Sequence, residues 1–138
     1  MRLTTQSSLA IRMLLYCAAN EGRLSQVGRI AEAYSVSALH LAQIMKPLVD
    51  RGLLDTVRGR HGGIRLRKAA SDISLADVVR ATEPIMTSHR NTSDRDDPDT
   101  ADLALQAAFD SFMDALGHYT IADLVTGMPA LRGLLKVA

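Results

Sequence analysis

Apolar residues recur at helical spacing from the start of the chain. Leu9, Met13, Tyr16 and Cys17 form one stripe, which Ile11, Leu14, Leu15 and Ala18 widen, and this predicts a helix over 5–19. Thr4 or Thr5 is placed to cap it, and Asn20-Glu21-Gly22 ends it. Ser25 then reads as the cap of a short second helix carrying Val27, Ile30 and Ala31 and ending near Tyr34. Ser37 reads as the cap of a third. Its apolar residues Leu41, Ile44, Met45, Leu48 and Val49 fall at i, i+3, i+4, i+7 and i+8, Pro47 is expected to bend the helix or tighten its last turns, and Gly52 stops it.

The period then changes. Leu53–Arg58 and Ile64–Arg67 are short alternating runs around Gly59-Arg60-His61-Gly62-Gly63, which predicts a hairpin with a glycine-rich tip. Ser74 and Asp77 form a capping box for a helix over 75–82, ended by Glu83-Pro84. Residues 87–100 contain no Leu, Ile, Val, Phe or Met and read as a polar loop. A long helix follows over 101–116. Leu105, Phe109, Phe112, Met113 and Leu116 make one stripe and Ala101, Ala104, Ala108, Ser111 and Ala115 an adjacent one. Together they cover more surface than packing on a single neighbour needs. Gly117 ends this helix, Thr120 and Asp123 box a short helix through Val125, and 130–137 form a last turn or two.

Composition narrows the class. The 138 residues suffice for one domain with an added helix. Aromatics are only 4% and Trp is absent, so the core is aliphatic. No apolar run approaches the ~18 residues of a membrane span, and the N-terminus lacks the shape of a signal peptide, so a cytoplasmic location is expected. Cys17 is the sole cysteine, which excludes an intrachain disulfide and any multi-cysteine metal site. It sits on the first helix's apolar stripe and reads as a buried structural thiol. No P-loop, G-x-S-x-G, H-E-x-x-H or dinucleotide fingerprint occurs, and no enzyme is expected.

The net charge of +1 conceals a split. Residues 1–80 hold twelve Lys/Arg against six acids, and residues 81–138 hold four against nine. A basic front half points to a polyanionic partner. Three helices followed by a glycine-centred hairpin are the element order of a winged helix-turn-helix, whose third helix enters the roughly 12 Å major groove of duplex DNA. Ser37, Ala38, His40 and Gln43 are the expected outward positions at its N-terminal end. Gln43 suits an adenine edge, and Lys46, one turn on, suits a phosphate. Arg58, Arg60 and His61 at the hairpin tip suit a minor groove. The same elements also admit a winged helix that docks protein partners instead of DNA.

The segments MRLTTQSSLAIRMLLYCAA, SVSALHLAQIMKPLVDRGLLDTVRGRHGGIRL, ISLADVVRATE and YTIADLV resemble the cluster-sensing winged-helix transcription regulators of the RirA, IscR and NsrR type, in wording closest to RirA. The resemblance covers nearly the whole chain, and the RGR-x-GG tip is its most specific part. It implies a mainly α fold with a small β-hairpin: a winged helix-turn-helix DNA-binding domain over 1–82, a polar cluster-loop equivalent over 83–100, and a dimerisation helix with short C-terminal helices over 101–138. It further implies a homodimer on a palindromic operator, and a repressor-like role in iron, sulfur or nitrosative-stress control. Such regulators hold an iron–sulfur cluster on three cysteines, and this chain has none of them. Ser93 and Asp99 stand at two of the matching places, Ser88 is the nearest candidate for the first, where the spacing is shortened, and Ser8 stands where some relatives supply a fourth ligand. Iron in these clusters takes thiolate, for which serine hydroxyls are poor substitutes, so no cofactor is expected. His89, Asp94, Asp96, Asp97 and Asp99 could in principle ligate another metal, but an acidic loop is ordinarily just solvated, and no metal site is expected either.

Overall fold

A computed structural model describes residues 4–83 and 100–127. Helix α1 spans Thr5–Ala19, and Thr4 caps it, its hydroxyl accepting the Ser7 N–H. Its stripe of Leu9, Met13, Leu14, Tyr16 and Cys17 is buried, and α1 is the central element of the body. α2 (Val27–Tyr34) and α3 (Ala38–Asp50) form a helix-turn-helix pair. The turn between them runs through Ser35 in the left-handed region at φ 54, and the Val36 N–H reaches back to the Ala31 carbonyl. No glycine or asparagine marks this turn.

Strands β1 (Leu54–Val57) and β2 (Gly63–Leu66) pair antiparallel, Leu54 opposite Leu66 and Val57 opposite Gly63. Leu54 and Ile64 turn inward and are buried. A short 3-10 turn, Ala70–Asp72, leads into α4 (Leu75–Thr82), where both hydrogen bonds of the Ser74–Asp77 capping box are made. α5 spans Thr100–Gly117 and α6 Ile121–Gly127.

Ser25 departs from expectation. It does not cap α2, whose cap position is Gln26 without a side-chain cap bond. Ser25 instead exchanges both backbone hydrogen bonds with Ile64 at 2.8 Å and acts as a one-residue third strand. That tether fixes the hairpin to the base of α2. It also brings the backbones so close that a Cβ on Gly63 would meet the Ser25 carbonyl oxygen at 2.6 Å.

One aliphatic core joins α1, α3, β1, β2 and α4, and takes in Ile121 and Val125 of α6. α6 reaches it through paired backbone bonds beside α4: Leu75 N–H to the Tyr119 carbonyl and Ile121 N–H to the Ile73 carbonyl, both 2.9 Å. α5 packs on α4 through a smaller cluster in which Met113, Phe109, Phe112 and Leu116 meet Ala76 and Val79. No helix among the described residues is long and apolar enough to cross a membrane. The segment that would align with the cluster loop, and the expected last turn over 130–137, lie outside the described residues.

Candidate nucleic-acid interface

α3 buries Leu41, Ile44 and Leu48 along one side. The helical period then turns Leu39, Ala42, Gln43, Lys46 and Asp50 to solvent. Ser37 is exposed, and its hydroxyl accepts the His40 N–H at 3.1 Å, leaving its own proton free to donate outward. His40 is half-buried rather than fully outward. It stands four residues before Ile44, so its ring lies at the edge of the buried stripe. Lys46 Nζ pairs with Asp50 Oδ2 at 3.1 Å, with both side chains largely exposed. An exposed i, i+4 pair is worth about 0.3–0.5 kcal/mol, so a phosphate displaces the aspartate at little cost.

The hairpin tip is shaped by its glycines. Gly59 has φ +115, and a Cβ on Gly62 would run into the Val57 carbonyl oxygen. This tight loop holds Arg58, Arg60 and His61 exposed. Neither arginine is ion-paired with a described residue. Arg65, at the root, faces Asp55 across the register and binds it at 3.2 Å. Arg65 is therefore neutralised at the root, while Arg58 and Arg60 at the tip have no ion-pair partner among the described residues. A second basic cluster escaped the sequence reading: Arg23, Arg65, Arg67 and Lys68 rim a cleft of about 390 Å³ beside Glu21 and Cys17. Arg65 and Arg67 form the cationic face of the second strand run, and it is the packing of β2 beside the end of α1 that brings the distant Arg23 to them and to Lys68. Leu39 and Ala42 also lie on the outward face of α3 and were not among the positions expected there.

The residues relevant to a cluster divide in two. Ser88, Ser93 and Asp99 lie outside the described residues. Ser8 is half-buried on α1. Cys17 is buried at 3% exposure. Burial pushes its thiol up to about 12, against a smaller opposing influence of the nearby Ser25 hydroxyl. A thiol so reluctant to ionise is a poor metal ligand. Of the described residues, neither Ser8 nor the protonated, buried Cys17 offers iron the thiolate such clusters take.

Next to Ser8 a polar network closes the N-terminal end of α1. Glu83 Oε1 accepts from the Ser7 hydroxyl at 2.6 Å, the Thr4 hydroxyl at 2.6 Å and the Thr4 N–H at 3.1 Å. The Ser7 and Thr82 hydroxyls lie 2.7 Å apart. Burial alone raises the Glu83 carboxyl, but the hydrogen bonds from Ser7 and Thr4 outweigh it and hold the group below the usual carboxylate range.

A capped helix with a polar outward face, beside a hairpin with free arginines at its tip, defines a winged-helix DNA-binding regulator. The comparisons with known proteins agree. The Rrf2 model, described as iron-dependent transcriptional regulator, matches residues 3–127, and the chain belongs to the Rrf2 family. It is 47% identical to protein aau3 of Rhizobium meliloti (strain 1021), over 98% of this chain and 92% of that protein. It is 36% identical to the HTH-type transcriptional regulator NsrR of Geobacillus kaustophilus (strain HTA426), over 99% and 97%. Among solved structures, T. potens IscR superposes with a TM-score of 0.77 at 23% identity, covering 95% of this chain and 90% of that one, a likeness of fold.

Proposed function

We propose that this cytoplasmic chain acts as a homodimeric repressor on a palindromic operator, without an iron–sulfur cluster and without enzymatic activity. The observation that carries the DNA contact is the pair of unneutralised arginines, Arg58 and Arg60, on a glycine-tightened tip beside α3. In this reading Gln43, with Ser37 and His40, addresses base edges in the major groove. Lys46 binds a phosphate, and Arg58, Arg60 and His61 enter the minor groove. The dimer is supported by α5, whose first half is exposed along its whole circumference and carries Leu103 and Leu105. A second copy of the same helix is an apolar partner of matching shape. Residues 100–127 include four acids and no Lys or Arg, so this end of the chain is repelled by the polyanion that attracts the other.

The test is a salt titration of binding to a duplex enriched by the protein from a randomised pool. For six to ten phosphate contacts, affinity falls by about 10³–10⁵ between 50 and 200 mM salt. Flat salt dependence without preference for a palindrome would instead favour a module that docks proteins. The cluster-free reading has its own check. After anaerobic reconstitution with iron and sulfide the protein stays colourless, and a stable brown protein with thiolate-to-iron absorption overturns it.

A further inference from the structure

We propose that Leu39 is a specificity-determining residue that reads the C5-methyl group of a thymine in the major groove. The inference rests on the DNA-binding reading above and deepens it. At 74% exposure Leu39 is the most exposed large apolar side chain among the described residues. Single exposed leucines are common on protein surfaces, and what distinguishes this one is its place. It is the second residue of α3, at the helix end that meets base edges in a helix-turn-helix complex. It shares the outward face with Ala42, Gln43 and Lys46, opposite the buried Leu41, Ile44 and Leu48.

The neighbours say what covers it. Ser37 and Gln43 are hydrogen-bonding groups, and Lys46 and the tip arginines supply positive charge. A leucine that shares its helix face with such polar and cationic groups suits a polyanion that presents an isolated apolar spot better than it suits an apolar protein surface. Thymine is the only DNA base with an apolar group in the major groove. Leu39 and Gln43 are one helical turn apart, about 6 Å along the axis at 1.5 Å per residue. That is nearly two base-pair steps of roughly 3.4 Å. The half-site thus contains a thymine met by Leu39 about two steps from the adenine met by Gln43, with the exposed Ala42 adding a small apolar surface beside them.

The experiment uses the full chain and the duplex it enriches from a randomised pool. Each half-site thymine is replaced in turn by deoxyuridine, which removes only the methyl group. For the wild-type protein, one substitution lowers affinity about fourfold per half-site, the size expected for one methyl group taken out of water. Leu39→Ala binds the thymine duplex more weakly by a similar factor and is indifferent to that same substitution. Leu39→Val keeps a branched methyl pair and retains part of the discrimination. The side chain supports no core contact, so both variants keep the wild-type melting temperature. If no deoxyuridine substitution separates wild type from Leu39→Ala, the proposal is overturned while DNA binding stands. If no duplex is enriched at all, the DNA-binding reading itself fails.

Discussion

α3 and α5 are both amphipathic on paper, yet they treat their apolar residues in opposite ways. On α3 the aliphatic positions Leu41, Ile44 and Leu48 are buried, and the outward face is polar apart from Leu39 and Ala42. On α5 only Met113 is buried, Phe109, Phe112 and Leu116 are half-buried on α4, and Leu105 stands 66% and Leu103 56% exposed. Charge differs as well: α3 carries Lys46 against Asp50, whereas α5 carries Asp102, Asp110 and Asp114 and no Lys or Arg. The lesson is that periodicity reports an apolar face but does not say whether the chain itself or a partner covers it. For α3 the covering body is on the same chain. For the first half of α5 nothing described in this chain does the covering.

The largest expected effect tests this difference directly. Leu14 is fully buried on α1, and Leu14→Ala costs about 2–5 kcal/mol of unfolding free energy through lost burial and a residual cavity. Leu105→Ala costs a dilute monomer within about 0.5 kcal/mol, as an exposed substitution does. Its effect appears instead in self-association, so the rise of the denaturation midpoint with protein concentration is weaker in the variant. Leu105→Asp abolishes that concentration dependence and sediments as a monomer. Phe112 is a poorer probe, because it packs on the α4 of its own chain and its replacement damages fold and association together. Equal losses from Leu14→Ala and Leu105→Ala in dilute protein would erase the distinction between the two helices.

Within the winged-helix body the comparison narrows to the tip and root of the hairpin. Arg60→Ala weakens DNA binding by about 1–3 kcal/mol and makes the salt dependence shallower. Arg65→Ala, whose guanidinium is already held by Asp55, costs under about 1 kcal/mol. Fluorescence anisotropy titrations at two salt concentrations measure both. A loss at Arg65 as large as that at Arg60 would place the DNA along the side of the hairpin, over the cleft rimmed by Arg23, Arg67 and Lys68.

Much of this was legible in the sequence, and the exceptions share a cause. Helices with a capping residue and a clear period appear where the period puts them: α1 over Thr5–Ala19 and α4 over Leu75–Thr82. The glycine tip was legible because the spacing of Gly59, Gly62 and Gly63 has few other uses. Ser25 was misread because a serine before a helical run looks the same whether its side chain caps the helix or its backbone bridges a strand. Which of the two occurs depends on Ile64, thirty-nine residues on. Ser35 was missed because serine adopts a positive φ only when the packing of α2 on α3 imposes it. The Glu83 network was invisible for the same reason, since distant pairing is a tertiary fact, whereas the outward place of Leu39, one turn before Gln43, follows from the helical period.

The Glu83 network gives a smaller and pH-dependent effect. Because the folded-state carboxyl lies below its ordinary value, its contribution to stability is present above the unfolded pKa, near 4.5. That contribution is lost as pH falls through the folded value. Glu83→Gln removes the charge but keeps an acceptor for Thr4 and Ser7, so it costs about 1 kcal/mol at pH 7. The gap closes as the wild type is acidified. Urea denaturation from pH 7 down to pH 3 measures it, and a gap that widens on acidification refutes the assigned sign.

The smallest effect is a reactivity in which Cys17 serves as an internal reference for α5. With its thiol pushed up to about 12, the thiolate fraction at pH 8 is about one in ten thousand, against about a quarter for a free thiol near 8.5. Burial also blocks the reagent's approach. Iodoacetamide at pH 8 therefore leaves native Cys17 unmodified over hours and modifies it promptly in denaturant. In a Leu105→Cys variant the second thiol is exposed in each monomer and is alkylated in dilute protein. Raising the protein concentration protects it as a second copy covers α5, while Cys17 stays protected throughout. Concentration-independent labelling at position 105 would mean that no twin covers this helix, and rapid labelling of Cys17 would mean that the body of the fold is open. Because the two thiols are read in one tube by mass spectrometry, failure of the association and failure of the core are told apart.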